Sequence, residues 1–471
     1  MTAPWDRRRR SEQARVEELV LGPWLPAAVG FSSTWSQRVR DAGLSTRSLR
    51  SREDLALLAP TREVDLLRDS GPGAPGLLMR PTEDQIKAHA TRSTLMDIAR
   101  SIRREGRSGQ RRAVLTEYKP IHVHRGGVDA DLAIAYSRRD LDRLHRAGAR
   151  AAAVLGLDDT DYLVSAVPAG PTLEWWGVYH LGLGSSMLAL HPRGAGDPLA
   201  RAIASFRLLP VTAVAVLAGE AVELAATITE SAEVSCDRVD TVVVVGPPPD
   251  AERRAAIADA WRAAGANRDV RVRALWAPSE ARAMWAECAE GGTGLHTYPD
   301  MEVLEIIDPQ TGATSPSDGD LTYTSAGWHG SALLRYQTGA YVEGLSDDAC
   351  PACGRTVPRI LGEPLPAAWQ PAITTEAGGE RADLRGAAVV LAGDPAVEVW
   401  RIEASPTAPR RRTHRVLVEV AGRLAQEDAD GLARRLRAAV GTETLEVELI
   451  ADPVVVERRV EELGSVFADL T

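Results

Sequence analysis

Four residues of metal-binding type fall into two pairs. Cys288 and His296 form a Cys-x7-His pair, and Cys350 and Cys353 form a Cys-x2-Cys pair. Three thiolates and one imidazole make a closed tetrahedral zinc site, structural because no coordination position stays open for chemistry. A lone Cys-x2-Cys is only suggestive, and four reduced side chains in a polar loop cluster are the plainer alternative. Cys236 has no partner in the pattern and reads as a small buried residue. The same stretch, Trp276 to Ile360, also carries Ala277-Pro278-Ser279-Glu280 and Arg335-Tyr336-Gln337-Thr338-Gly339-Ala340. Further back, Trp175, Trp176, Tyr179 and His180 cluster, for which core packing is the common explanation.

The elements that must position these residues alternate between strands and helices. Asp161–Val167, Ser185–Leu190, Val211–Leu217, Thr241–Val245 and Val270–Leu275 are apolar runs of strand length. Glu252–Ala264 is the clearest amphipathic helix between them, with Ile257, Ala260, Trp261 and Ala264 on one face. Short apolar strands alternating with helices predict a mostly parallel, doubly wound α/β sheet covered on both faces. Ligands of such sheets bind beyond the carboxyl ends of strands, here Pro168–Pro171, Gly246–Pro249 and Trp276–Glu280. Residues 1–90 read as a helical lead-in broken at Gly22-Pro23 and Gly71-Pro72-Gly73. Thr91–Arg104 reads as a helix and Glu105–Arg112 as a loop. Residues 362–383, rich in Pro, Ala, Gly and Glu, read as a linker between a large domain, 1–361, and a small α+β domain, 384–471. In the latter Arg415–Val420 and Leu445–Ile450 are expected strands and Ala429–Val440 a helix.

Composition narrows the partners. The 471 residues are 44% hydrophobic and 25% charged, as expected of a globular protein of about two domains. A net charge of −10 argues against broad nucleic-acid affinity, and the run Arg7–Arg10 reads as a solvated terminal cluster. No apolar run approaches the ~18 residues of a membrane span. The charged start lacks a secretory h-region, and four cysteines make no disulfide framework, so a cytoplasmic setting is expected.

The ordered motifs resemble the phenylacetate–coenzyme A ligase and coenzyme F390 synthetase-like branch of the adenylate-forming (AMP-binding) enzymes. The carriers are Arg335-Tyr336-x-Thr338-Gly339, the Cys350/Cys353 pair, Gly354-Arg355-Thr356 and Arg359-Ile360. Upstream, Glu280, Cys288, Gly294-Leu295-His296 and Glu305-Ile306-Ile307-Asp308-Pro309 follow in order, as do Tyr118-Lys119-Pro120-Ile121-His122-Val123-His124 and Tyr136-Ser137-Arg138-Arg139-Asp140-Leu141. The resemblance implies a large nucleotide-binding domain and a C-terminal lid that rotates between half-reactions. It implies that Glu280 is the acid of the magnesium–ATP site. It places Gly126, Gly127, Gly246, Ser279, Tyr336, Thr338 and Ala340 at nucleotide-site positions, and Trp175, Trp176, Tyr179 and His180 in an acyl pocket. Some relatives carry zinc where Cys288, His296, Cys350 and Cys353 stand.

Departures from the pattern concern the nucleotide. The phosphate loop becomes His124-Arg125-Gly126-Gly127-Val128-Asp129-Ala130-Asp131, without hydroxyls and with two aspartates. The adenine-contacting turn becomes Gly246-Pro247-Pro248-Pro249, where three prolines remove three amide donors. Ala340 stands where an aspartate binds the ribose hydroxyls, and no lysine follows Lys119, although Arg458 and Arg459 lie near the expected place. The sequence therefore reads first as a divergent protein with a degenerate ATP site, acting in binding, scaffolding or regulation, with a small carboxylate or a protein as partner. The alternative is an active ATP- and magnesium-dependent ligase joining an aryl or acyl carboxylate to coenzyme A or a carrier. A third reading is ATP-independent acyl transfer using Glu280 or the His124 region.

Overall fold

Runs that are apolar throughout, with no alternation, leave a strand no solvent face, and this sets the middle of the molecule. Thr241–Val245 is buried at every position. It pairs in parallel with Ala213–Leu217 on one side and Arg271–Trp276 on the other, Val243 lying between Ala215 and Arg273. Tyr162–Ser165 and Leu188–Leu190 extend the parallel half. Beyond Arg271–Trp276 the sheet turns antiparallel through Trp285–Ala286, Leu295–His296, Arg359–Leu361 and Gly344–Ser346, nine strands in all among the described residues. Alternate residues feed two cores. Val164, Val214, Val216, Val242 and Val244 meet Ile257 and Trp261 on one face. Leu163, Ala213, Ala215 and Val243 meet Leu144, Leu173, Trp175 and Val178 on the other. The doubly wound α/β reading holds: Thr241–Val245 is as expected, Val270–Leu275 shifts by one residue, and the other three strands are shorter by up to three residues at an end.

This computed structural model describes the chain apart from residues 1–4, 47, 90–91, 128–131, 193–197, 232–233, 309–310, 367–371, 375–380, 407–413, 423–425, 441–444, 464–466 and 470–471. It divides into two units, Met1–Pro364 and Leu365–Thr471. No helix among the described residues is long and apolar enough to cross a membrane.

The second face is covered by two helices, Arg138–Leu155 and Leu173–Ser185. The first begins with a capping box in which Ser137 and Asp140 each satisfy the other's amide, and it ends on Gly156 in the left-handed region. The two helices meet backbone to backbone. A Cβ on Gly148 would lie 2.3 Å from the His180 carbonyl oxygen, and one on Gly184 would lie 2.5 Å from the Ala149 nitrogen. Ahead of them stands a hairpin, His122–Gly126 with Leu132–Tyr136. A separate antiparallel ladder joins Glu302–Ile307, Gly319–Ser325 and Tyr336–Val342.

Two local expectations are corrected. Glu105–Arg112 is helical, part of Arg92–Tyr118, because the polar stretch is a solvated helix face; only Gly106, at φ 60°, breaks the helical backbone. Within the expected linker, Ala372–Thr374 pairs with Arg381–Asp383 as a short hairpin. In the second unit Val397–Pro406 pairs antiparallel with His414–Gly422, which Leu445–Leu449 joins in parallel. Helix Gln426–Val440 covers this sheet through Leu432 and Leu436, packed with Ile402 and Val418. Arg401 and Glu419 form a buried ion pair at 2.7 Å, and Arg459 also binds Glu419. Arg459 is thus engaged inside its own unit, and a guanidinium fork does not reproduce an ammonium point charge.

Candidate active site and metal cluster

Residues directly opposed in an antiparallel pair point to the same side, so one face of the hairpin carries His122, His124, Gly126, Leu132, Ile134 and Tyr136. Glu280 closes one end of that face. A side-chain oxygen of Glu280 accepts from the Gly127 amide, and a Cβ on Gly126 would come within 3.2 Å of the Glu280 Cγ. The nearest obstacle to a Cβ there is Ile134 Cγ1 at 2.8 Å, so the hairpin and Glu280 together leave room only for glycine at 126. Burial raises the Glu280 pKa against the opposing pull of backbone amides, its own and that of Gly127. Its neighbour Ser279 accepts from the Leu173 amide at 2.8 Å, fixing the start of the aromatic helix. Residues 128–131, the rest of the expected phosphate loop, lie outside the described residues.

The middle of the face is aromatic. Trp176 lies edge-on to His122 at 4.6 Å and stacked with His124 at 5.9 Å between ring centres. Trp175 stacks on Tyr179 at 5.6 Å, and His180 lies 6.4 Å from Trp176. Trp176, Tyr179 and His122 are half-buried, while Trp175, His124 and His180 are buried. Burial and the neighbouring His122 and His180 push the His124 pKa far below the usual imidazole range, and burial takes His180 to about 4. Both rings are neutral at pH 7. They offer hydrogen-bond donors and acceptors, not positive charge.

Tyr136 ends the face. Its hydroxyl lies 2.9 Å from the His124 Nδ1, and the guanidinium of Arg282 covers its ring at 5.7 Å. Arg282 is wholly buried and adopts φ 57°, a left-handed backbone that a long side chain rarely takes. It was not singled out from the sequence. The only hint was a charged residue two positions after Glu280, inside an otherwise apolar run. His122 was passed over too, although His-x-His ahead of an apolar strand was visible.

The remaining nucleotide-site positions sit on other elements. Tyr336 is buried opposite Tyr323, the Thr338 hydroxyl donates to the Leu321 carbonyl at 2.9 Å, and the Ala340 amide donates to Thr338 Oγ1 at 3.3 Å. These bonds run within the ladder and not to the hairpin. Gly246 takes φ 132°, and its amide donates to the Leu275 carbonyl at the sheet's carboxyl edge.

The four metal-type residues converge. His296 is brought between Ala286 and Arg359 by strand pairing, with Cys288 just beyond the first and the Cys350–Arg355 turn just before the second. Their ligand atoms lie within 4.8 Å of one another and could hold a metal ion. Cys288 and Cys350 sulfurs are 3.9 Å apart, and Cys353 sulfur is 3.6 Å from His296 Nε2. A tetrahedron with metal–sulfur bonds of about 2.3 Å has sulfur–sulfur edges of about 3.8 Å, so the spacing fits. A Cβ on Gly292 would fall 2.6 Å from Cys350 sulfur and 2.9 Å from Cys288 sulfur, so the cradle needs glycine. Burial takes the His296 pKa to about 3, leaving the neutral imidazole that ligation requires, and pushes the Cys288 thiol up to about 12, which a bound cation would reverse. The turn is braced from the chain start: Arg355 Nε donates to Asp6 at 2.6 Å and the Thr356 amide to the Asp6 carbonyl at 2.8 Å. Cys236, elsewhere, is buried as expected, with its thiol on the Ala264 carbonyl at 3.0 Å.

No protein-family model and no curated protein matches the sequence. Solved structures do. One is 2-hydroxyisobutyryl-CoA ligase in the postadenylation state with 2-HIB-AMP. It is 17% identical, covers 98% of this chain and 96% of its own, and has a TM-score of 0.67. The open conformation of that ligase with 2-HIB-AMP and CoA is 17% identical over 94% of this chain and 88% of its own, at 0.66. A structure from studies of fatty acyl-adenylate ligases from E. coli and L. pneumophila is 12% identical over 71% of this chain and 66% of its own, at 0.51. At these identities the likeness establishes the fold, that of the adenylate-forming ligases.

Proposed function

We propose that this chain is an AMP-forming ligase of an aryl or acyl carboxylate, with coenzyme A or a carrier as acceptor. The observation that carries the reading is the extent of the likeness: 98% of the chain, both units included, follows a ligase bound to its acyl adenylate. Beside it, Glu280 stands at the Gly126–Gly127 end of the hairpin, on the Gly127 amide, where the resemblance expects phosphate. In such a reaction ATP, with magnesium, would supply AMP to the carboxylate with pyrophosphate leaving, and the acceptor would then displace AMP. The residues here do the holding: Trp175, Trp176, Tyr179 and His180 would enclose the acyl body, and Glu280 would hold the cation. Zinc is proposed at Cys288, His296, Cys350 and Cys353 as a structural ion, since three thiolates and an imidazole favour it and leave no open position.

A specific observation favours a second reading, a non-adenylating binding, scaffolding or regulatory protein. Ala340 offers a methyl group where the resembled enzymes bind ribose through a carboxylate, and each lost charge-assisted bond costs about 1.5–3 kcal/mol. The proline-filled turn after Gly246 and the missing late lysine point the same way.

Carboxylate-dependent exchange of pyrophosphate into ATP separates the two. The ligase reading expects exchange that Glu280→Gln abolishes. Absence of exchange over a panel of aryl and short acyl acids, with no calorimetric ATP–magnesium binding tighter than millimolar, would overturn it in favour of the second.

A further inference from the structure

Among the described residues Arg282 is a buried cation without a counter-ion. Among the described residues no carboxylate lies within ion-pair distance of it, and its Nε and Nη1 have no hydrogen-bond partner. Its one polar contact is Nη2 to Ser331 Oγ, an oxygen that also accepts from the Ala135 amide at 3.1 Å. Below and beside it are the rings of Tyr136 and Trp328, at 5.7 and 5.6 Å. Trp328 is shared with a second guanidinium, Arg143 at 5.2 Å, which adds positive charge to the same region. The carboxylate of Asp140 is already committed to the amides of Ser137, His329 and Gly330. Leaving a charge unpaired in a dry interior is strongly unfavourable, and so is the left-handed backbone that places it there. Strained backbone of this kind clusters at active sites and ligand clamps; Arg335, also left-handed, differs in having Glu305 as its partner at 3.2 Å.

Other polar atoms without partners among the described residues lie on this hairpin face, on helix Leu173–Ser185 and on the ladder. His122 and His124 Nε2 and His180 Nδ1 are buried without partners, as is the Tyr323 hydroxyl on the ladder. Half-buried His122 and Trp176 form the outer side of this group, with His124, Tyr136 and Arg282 inside. Burial lowers the pKa of all three imidazoles, and of the two guanidiniums in this region Arg282 is the one over Tyr136, whose hydroxyl meets His124.

We infer that Arg282 anchors the carboxylate of an organic acid whose apolar body lies against Trp176, with His122 and His124 contacting its polar substituents. This deepens the proposed function and rests on its acyl-pocket reading, but it needs no nucleotide. It makes the ligand an anion before any activation.

The test is thermal unfolding without ATP, followed by tryptophan fluorescence, for the wild type, Arg282→Met and Arg282→Lys, each alone and with millimolar benzoate, phenylacetate or acetate. The corresponding amides are the neutral controls. Expected results are threefold. The ligand-free Arg282→Met chain melts at or above the wild type, because an unpaired buried charge is gone. At least one acid raises the wild-type Tm while its amide does not. That acid binds Arg282→Met about tenfold more weakly or worse, with Arg282→Lys intermediate. A lower Tm for ligand-free Arg282→Met with equal acid binding would make Arg282 a structural pillar and overturn the inference. So would a wild-type Tm that no acid moves. Pyrophosphate exchange that fails while acids still act through Arg282 would sink the ligase reading and leave this one standing.

Discussion

The contact between helices Arg138–Leu155 and Leu173–Ser185 gives the sharpest mechanical prediction. Gly148→Ala places a methyl 2.3 Å from the His180 carbonyl oxygen, where Cβ contacts need about 3.0 Å or more. The obstacle is backbone, not the end of a flexible chain, so the helices must part by roughly 0.7 Å at that point. Alanine in a helix interior gains about 1 kcal/mol over glycine, and overpacking a tight core costs about 1–3 kcal/mol, so the net sign is set by rigidity. The first helix is capped, the second is tied by the Leu173 amide to Ser279, and both lie against the sheet, which leaves little room to slide. A net loss of about 1–2 kcal/mol follows. Gly184→Ala, 2.5 Å from the Ala149 nitrogen, needs the same separation, so the double variant should cost clearly less than the two singles added. Urea titration read by tryptophan fluorescence measures all three, and the near-ultraviolet dichroism of Trp175 and Trp176 should change along with it. Unchanged or raised midpoints for both singles, or strict additivity in the double, would refute the rigid-contact account.

Two further outcomes are expected. Glu302 is wholly buried, accepting from Trp285 Nε1 at 2.8 Å and the Tyr298 amide at 2.9 Å, and burial raises its pKa to about 8. An acid whose folded pKa is raised holds its proton longer in the native state, so its contribution to stability falls as pH climbs from about 4.5 towards 8 and levels off above. Glu302→Gln should flatten that decline, and an identical slope in the variant would show that other groups cause it. For the cysteine cluster, elemental analysis should find close to one zinc per chain, and Cys353→Ser should lose the metal and lower the Tm. Zinc-free protein with an unchanged Tm would remove the structural role.

The sequence announced the parallel sheet because buried strands must be apolar at every position, and Thr241–Val245 is so. It placed the metal-type cluster because ligand spacing is local in each pair, and strand pairing only had to join two pairs. It misjudged Glu105–Arg112 because a helix exposed to water carries no apolar stripe to read. It missed Arg282 for a different reason. Whether a buried arginine has a partner depends on residues far apart in the chain, here Ser331, Tyr136 and Trp328, and no periodicity encodes that. The helix starting at Arg138 was marked by Ser137 and Asp140, but the additional grip of Asp140 on residues 329 and 330 was legible only in three dimensions.

The brace between Asp6 and the Arg355–Thr356 turn has a bearing on synthesis. It joins residues 349 positions apart, and His296 sits between strands that flank it from both sides of the sequence. A chain leaving the ribosome therefore cannot finish this corner until Arg359 has emerged, and Asp6 waits for its Arg355 partner through most of the first unit. Contacts of such sequence separation close slowly. The corner around the cysteine cluster thus depends on a contact of long sequence separation, and loss of the Asp6 carboxylate would be felt there first.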